Sequence, residues 1–482
     1  MRTLIKGGTV VTATEQMKAD VLIEDEKVVA LFGETGGGVA ESLGNALLGI
    51  SVDKEIDATG KYVMPGGIDV HTHMQLPFGG TFASDDFESG TRAAAWGGTT
   101  TIIDFAVQVH GDSVMEGYES WMEKAEGNCA IDYGFHMIVG DVTEQALKEM
   151  DMLMDEGVTS FKLFMAYPGV LYSDDGRIFQ AMQKAAENGS TIMMHAENGI
   201  VIDVLREQAL QRGQTDPIYH SVTRPPVTEA EATHRAIAYA ELAGCPLYVV
   251  HMSAKEAVEE VAIARNRGSN VFGETCPQYL YLGWENLNEP GFDGAKYVCS
   301  TPVRSEEQGH QEALWRYLAT NDLQIVSTDH CPFCMNDHPK YGTQKRLGEG
   351  DFTKIPNGLP GVEERMRLIY HGAVGEGRLS LNRFVEVTAT APAKMFGLFP
   401  QKGTIAIGSD ADIIVFDPGV TTTMTVETNH MDVDYSCYEG KPVEGRIETV
   451  MQRGNILIED GAYHGTKGDG RYLKRGNCQY LI

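Results

Sequence analysis

The stretch TSFKLFMAYPG, Thr159–Gly169, decides how this chain is read. Phe161, Leu163, Phe164 and Met165 mark a buried β-strand, and Tyr-Pro-Gly turns the chain at its end. Lys162 stands in the middle of that strand, where an ammonium is costly unless its charge is paired or removed. The surroundings repeat the unit. From about residue 66, apolar strands alternate with amphipathic helices, the signature of βα units on a parallel sheet. Eight fragments read as strands: GIDVHTH, TTTIIDF, YGFHMIV, TSFKLFM, TIMMHAE, PLYVVHM, NVFGETC and LQIVSTDH. Between them fall helical patterns such as DDFESGTRAAAWGG, VTEQALKEMDMLMDEG, GRIFQAMQKAAENG and SAKEAVEEVAIARNRG. The class is α/β and the pattern predicts a (β/α)8 TIM barrel, although eight units alone also fit an open sheet.

Both chain ends change character. TLIKGGTVV, ADVLIEDEKVVALF and EIDATGKYVMPG at the start, and KGTIAIGSDADIIVFDPG and EGRIETVMQRGNILIEDGAY near the finish, are short β-branched runs broken by turn residues. The expected organisation is a small β-sandwich domain built from residues 1–63 and 398–464, a catalytic barrel over 64–397, and a polar tail at 465–482 that lies on another subunit. The Gly-rich segment between Gly33 and Asp53 is expected to be a long surface loop.

Composition narrows the partners. Of 482 residues, 68 are acidic and 39 basic, a net charge of −29, which argues against nucleic acid or an anionic membrane as partner. No window of about 18 uncharged apolar residues suggests a membrane span. MRTLIKGGTVVTATEQ lacks the apolar segment and cleavage site of a signal peptide, and eight scattered cysteines suit a reducing compartment. A cytoplasmic location is expected. The one CxxC, Cys331–Cys334, lacks a second pair and reads weakly as a zinc ribbon.

Active sites of such barrels lie at the C-terminal strand ends. There the sequence places His71 and His73 on strand one, Lys162 on strand four, His195 on strand five, His251 on strand six and Asp329 on strand eight. Residues two apart on a strand face one side, so His71 and His73 act together. Four imidazoles and a carboxylate exceed the needs of one tetrahedral ion and suggest two metals. A bridge between them cannot be an ammonium, which has no lone pair. A lysine carboxylated by carbon dioxide is an anion with two oxygens, and that removes the charge of Lys162. His136 reads as a hydrogen-bonded core residue, and His330 as a group orienting Asp329 or its neighbours. His110, His220, His234, His310, His338, His371, His430 and His464 show no such placement.

The segments DVHTHMQLPFGGT, DDFESGTRAAAWGGTTTIIDF, KLFMAYPGVLYSDDG, HAENG, STDHCPF and IPNGLPGVEERM resemble the dihydropyrimidinase and D-hydantoinase family of cyclic amidases in the amidohydrolase superfamily, in that order, from about Val63 to Phe396. The resemblance implies dihydropyrimidinase activity: hydrolytic opening of 5,6-dihydrouracil or dihydrothymine to N-carbamoyl-β-amino acids, with hydantoins as related substrates. It implies two zinc ions per subunit. His71, His73, carboxylated Lys162 and Asp329 would hold the more buried ion; Lys162, His195 and His251 would hold the outer one; a hydroxide would bridge both. It further implies that Asp329 moves the proton, that Tyr167 steadies the oxyanion, and that Ser300 and Asn357 bind the ring's amide edges. It also implies a homotetramer.

Three departures stand out. The loop at 33–53 is long for the family, Cys334 lies outside its pattern and would put a sensitive thiol near the site, and Gln75 stands where relatives often have an acid. The rivals are a D-hydantoinase, a dihydroorotase or allantoinase, a non-enzymatic dihydropyrimidinase-related scaffold, and a urease-like nickel enzyme. Met74-Gln75-Leu76-Pro77-Phe78 offers no cation for a substrate carboxylate, and all six ligand positions are filled, which favours a catalytic cyclic amidase acting on neutral rings.

Overall fold

A computed structural model describes residues 1–33 and 51–480. The expected loop at 33–53 lies almost wholly outside the described residues. Eight parallel strands follow each other in chain order around one sheet: Gly67–Thr72, Thr99–Val107, Asp132–Ile138, Ser160–Phe164, Thr191–His195, Leu247–Val249, Val271–Thr275 and Ile325–Val326. Each fragment picked from the sequence overlaps one of them. Helices Phe87–Trp96, Glu144–Asp155, Asp175–Asn188 and Lys255–Asn266 fall where their periodicity put them. Their starts are written locally. Asp86 accepts from the N–H groups of Glu88 and Ser89, Thr143 from Ala146, and Asp174 from Arg177, each satisfying a free donor of the first turn.

Alternation sorts the strand residues between two cores. On strand four, Phe161 and Leu163 pack outward among the helices, while Phe164 packs in the barrel interior with Ile68, Phe105, Met193, Tyr248 and Phe272. Strands one and eight are joined by side chains and by one backbone bond just beyond their ends. The fully buried Arg365 guanidinium donates to Ile68 O on strand one at 3.0 Å and to Val326 O on strand eight at 2.9 Å. Thr328 donates through its hydroxyl to Asp69 at 2.6 Å, and His73 N–H to His330 O at 2.8 Å. These bonds close the seam without a regular strand ladder.

The chain ends build one ten-stranded ladder in which Tyr62–Pro65 pairs antiparallel with Ile413–Thr423 and parallel with Thr9–Val11. The long strand Gln16–Glu24 serves both halves. Its start pairs with Thr9–Val11 and its end with Arg2–Lys6 and Lys27–Gly33. Apolar residues from both halves, among them Ile5, Val21, Val28, Val63, Ile413, Val415 and Met451, meet in one core, as in a sandwich. The buried ammonium of Lys402 ties this sheet to the barrel, 2.8 Å from Asp132 and 2.6 Å from Asp412.

The tail differs from expectation. Leu473 N–H donates to Tyr133 O at 2.7 Å and Gly476 N–H to Gly397 O at 3.1 Å. Cys478, Leu473 and Tyr480 join the barrel's interior cluster, and buried Arg475 donates to Ser160 Oγ at 3.0 Å. The tail packs on its own barrel because its apolar residues fill the floor beneath strands three and four, a role its polar composition concealed.

Candidate metal centre and active site

The six ligand candidates converge. His71 Nε2 lies 3.1 Å and His73 Nε2 3.2 Å from one oxygen of Asp329. Lys162 Nζ is 3.0 Å from His71 Nε2, and His195 Nδ1 is 2.9 Å from His251 Nε2. Ligand atoms of His71, His251 and Asp329 all lie within 4.8 Å of one another, a candidate His/Asp metal site, and all six side chains are buried. Phe105 floors the cluster. Its ring lies 4.2 Å from Lys162 Nζ and packs against both His71 and His73.

Backbone geometry explains part of this convergence. Tyr248 and Val250 point into the barrel, so simple alternation would send His251 outward. His251 instead takes φ 40°, a left-handed conformation that ends the alternation. Asp329 does the same at φ 53° and Tyr167 at φ 62°. Non-glycine residues rarely adopt such angles, and where they do the strain clusters at functional sites.

Two rings are backed by acids that the sequence reading did not single out. Glu274, at the end of strand seven, accepts from His71 Nδ1, from the Tyr248 hydroxyl at 2.8 Å and from His251 N–H at 3.2 Å. Glu197, two residues after His195, lies 2.8 Å from its Nε2. Carboxylates in these positions fix the tautomer and aim the opposite nitrogen at the centre, as is usual for metal-binding histidines. The donor set therefore fits divalent ions of the zinc type. The signal for Glu274 was present: it is an acid near the end of an apolar strand.

Electrostatics agree. Burial pushes His73 down to about 3, and burial followed by the His195 ring holds His251 well below its ordinary value, so both rings are neutral donors. Burial alone would raise the Asp329 carboxyl, but the His71 ring and hydrogen bonds from His71 and His73 outweigh it and hold Asp329 far down. Burial lowers Lys162 to about 8 and raises Tyr167 to about 12.

Above the cluster lies a cavity of about 390 Å³ lined by five of the six groups, by Tyr167, Ser300 and Asn357, and by apolar Leu76, Phe78, Val107 and Leu171. Asn357 Nδ2 is 3.1 Å from Ser300 Oγ and 3.4 Å from the Tyr167 hydroxyl, so these three form one polar wall. His110 lines the mouth, although its sequence position gave no sign of it. His136 is a core residue, bonded to Ser160 and Val70 O. His330 turns away from the Asp329 carboxylate. It meets Asp85 at 3.0 Å and accepts from Gly361 N–H at 3.1 Å, which anchors the loop after Asn357. Cys334 is buried and its thiol is pushed up to about 12 by burial; Cys331 is the cysteine that lines the cavity.

Residues 62–457 match the amidohydrolase family. The D-hydantoinase of Streptomyces coelicolor is 61% identical over 100% of this chain and 99% of its own. A crystal structure of dihydropyrimidinase from Brevibacillus agri NCHU1002 superposes with a TM-score of 0.92 at 49% identity, covering 99% of each chain. An L-hydantoinase (dihydropyrimidinase) from Arthrobacter aurescens does so with 0.85 at 30% identity, over 98% and 99%. Strand ends that gather histidines and an aspartate on a closed barrel, and a match across most of the length, have one reading: the chain belongs to the amidohydrolase family.

Proposed function

We propose that this protein opens cyclic imides by hydrolysis, converting hydantoins and 5,6-dihydropyrimidines to N-carbamoyl amino acids. The observation that carries it is a single Asp329 oxygen shared by two histidines beneath a wall of Tyr167, Ser300 and Asn357. Four relatives at 45–61% identity bear the name D-hydantoinase, which moves hydantoins of D configuration ahead of the dihydropyrimidines favoured from sequence. The apolar side of the cavity suits an aryl or alkyl substituent, and its volume is in the range of small-molecule sites.

His71, His73 and Asp329 would hold one zinc ion, His195 and His251 a second, and carboxylated Lys162 would bridge them. Two such ions supply a water acidic enough to be a nucleophile near neutral pH. Lys162 is suited to carboxylation because burial lowers it to about 8 and so favours the neutral amine, the form that adds carbon dioxide with loss of a proton. Asp329, ionised, takes a proton from the attacking water and passes it to the leaving ring nitrogen. Tyr167 stays protonated at neutral pH and donates to the oxygen on which charge develops. Ser300 and Asn357 hold the amide edges of the ring.

The deciding experiment offers 5-substituted D- and L-hydantoins, 5,6-dihydrouracil, dihydroorotate and allantoin to protein supplied with zinc and bicarbonate. Turnover of the first three classes and not of the last two supports the assignment; a metal-loaded protein that opens none of the rings refutes it. We further propose a homotetramer in the cytoplasm. Exposed Ile200, Val201 and Val204 on helix Gly199–Gln211 support the assembly, and eight free cysteines support a reducing compartment. A monomer mass in light scattering refutes the assembly.

A further inference from the structure

Ser300 and Asn357 belong to separate irregular segments, so neither a helix nor a strand sets their spacing. Lys345, at the start of the short turn Lys345–Gly348, sits behind both. Its side chain is fully buried, and its three hydrogen bonds go to the carbonyls of Val298 at 3.0 Å, Pro356 at 2.9 Å and Gly358 at 2.9 Å. An ammonium has three N–H donors, so each one is used. Val298 is two residues from Ser300, and Pro356 and Gly358 flank Asn357. Gly358 N–H also donates to Val298 O at 3.0 Å, drawing the two segments together. On the cavity side the same segments meet through Asn357 Nδ2 and Ser300 Oγ.

Burying a cation among carbonyls, with no carboxylate paired to it among the described residues, is costly. An apolar side chain would fill the slot at lower cost if packing were the sole requirement. The slot instead holds the one side chain whose tripod of donors matches three carbonyls from two segments.

We propose that Lys345 is a positioning residue for the reaction: its ammonium pins the carbonyls beside Ser300 and Asn357 and so sets the distance at which a ring's amide edges are read. This rests on the assignment of Ser300 and Asn357 to ring binding made above. Lys345 touches none of the six metal-ligand candidates, so its effect falls on ring binding.

The test is Lys345→Met, unbranched, one atom shorter and without donors, in zinc-loaded full-length protein. Three quantities are read: metal per subunit, hydrogen exchange of peptides spanning 296–303 and 354–360, and steady-state kinetics with hydantoin and dihydrouracil. The expected result is two ions per subunit, faster exchange confined to those two peptides, and KM raised about tenfold or more with kcat within about threefold, the pattern of lost uniform binding. Lys345→Gln, which keeps two donors, falls between. Exchange or KM equal to wild type in folded Lys345→Met overturns the proposal, as does a joint loss of metal and kcat. If Lys345→Met does not fold, Lys345→Gln decides, and a KM equal to wild type overturns it. Should wild type open no ring, the assignment of function fails, and the exchange experiment alone then decides whether Lys345 holds the two segments.

Discussion

Glu274 is the residue whose replacement best tests how the metal centre is built. It is fully buried and collects three donors: the His71 ring, the Tyr248 hydroxyl at 2.8 Å and the His251 backbone N–H at 3.2 Å. One carboxylate thus orients two ligands assigned to different ions. Glu274→Gln preserves shape but removes the charge and sets an NH2 group against one of the existing donors. Each hydrogen bond to a charged group is worth about 1.5–3 kcal/mol, and Gln still satisfies most of the donors, so about one such bond is lost. That agrees with the 10–100-fold loss of metal affinity typical when a carboxylate behind a histidine ligand is changed, about 1.4–2.7 kcal/mol. The assay is titration of apoprotein with Zn²⁺ against a chromophoric chelator. Tyr248→Phe is the control, because the Tyr248 hydroxyl bonds the Oε2 oxygen and His71 the Oε1 oxygen. It should cost less than about threefold, as an outer hydrogen bond of modest net worth does. Affinity of Glu274→Gln within twofold of wild type, or an equal loss in Tyr248→Phe, would refute the reasoning.

Lys162→Ala should lose most bound metal and nearly all ring opening, since it removes the proposed bridge and leaves Asp329, assigned to one ion, as the anion beside His71 Nε2; two ions per subunit and full activity in that variant would end the carbamate proposal. Tyr167→Phe should lower kcat on the order of 10²-fold with metal content unchanged, the usual cost of one oxyanion donor, and an unaltered kcat would remove Tyr167 from the chemistry. Glu364 gives a pH prediction. Burial, opposed mainly by the hydrogen bond from Ser436, raises its carboxyl from 4.5 to about 7, and its second oxygen has no hydrogen-bond partner among the described residues. A raised folded value means the native state holds the proton more tightly, so the stability it contributes is present below 4.5 and is lost as pH climbs through 7. Between pH 5 and 8, Glu364→Gln should gain on the order of 2–3 kcal/mol relative to wild type in denaturant unfolding, and a difference flat with pH would contradict this.

The barrel was legible because its strands and helices announce themselves by period, and the candidate cluster because five strands carry histidine, lysine or aspartate at or near their ends. What escaped notice was non-local. Arg365 closes the seam from 297 positions beyond Ile68, and no local pattern distinguishes a buried arginine from a surface one. Lys345 lies in KYGTQKRLGEG, which reads as a solvated turn until three carbonyls from other segments surround it. The tail read as polar because Leu473, Cys478 and Tyr480, which do its anchoring, are few among charged neighbours. Glu274 is legible as a strand-end acid, but its role is not, because it acts through contacts to His71 and His251 on other strands.

The left-handed residues explain why the site needs so much scaffolding around it. Tyr167, His251 and Asp329 each hold a conformation that costs about 1–3 kcal/mol, and such residues persist where neighbours over-determine them. The neighbours are visible. His251 is gripped on both sides, its N–H by Glu274 and its carbonyl by the Thr301 hydroxyl at 2.8 Å. The carbonyl of Tyr167 accepts from Val170 and Leu171 N–H at 3.0 and 3.1 Å. Thr328, just before Asp329, is fixed to Asp69 through its hydroxyl and to Gln278 through its carbonyl. Thr301 is also the residue after Ser300, so the group that steadies the His251 backbone and the group assigned to a ring edge move together. Through Thr301 the backbone of the ligand candidate His251 is therefore linked to the Ser300 side of the wall, whereas Lys345 bonds Val298, Pro356 and Gly358 and none of the ligand candidates. Relaxing the backbone at His251 should disturb ring binding as well as metal binding, whereas releasing Lys345 should disturb ring binding alone.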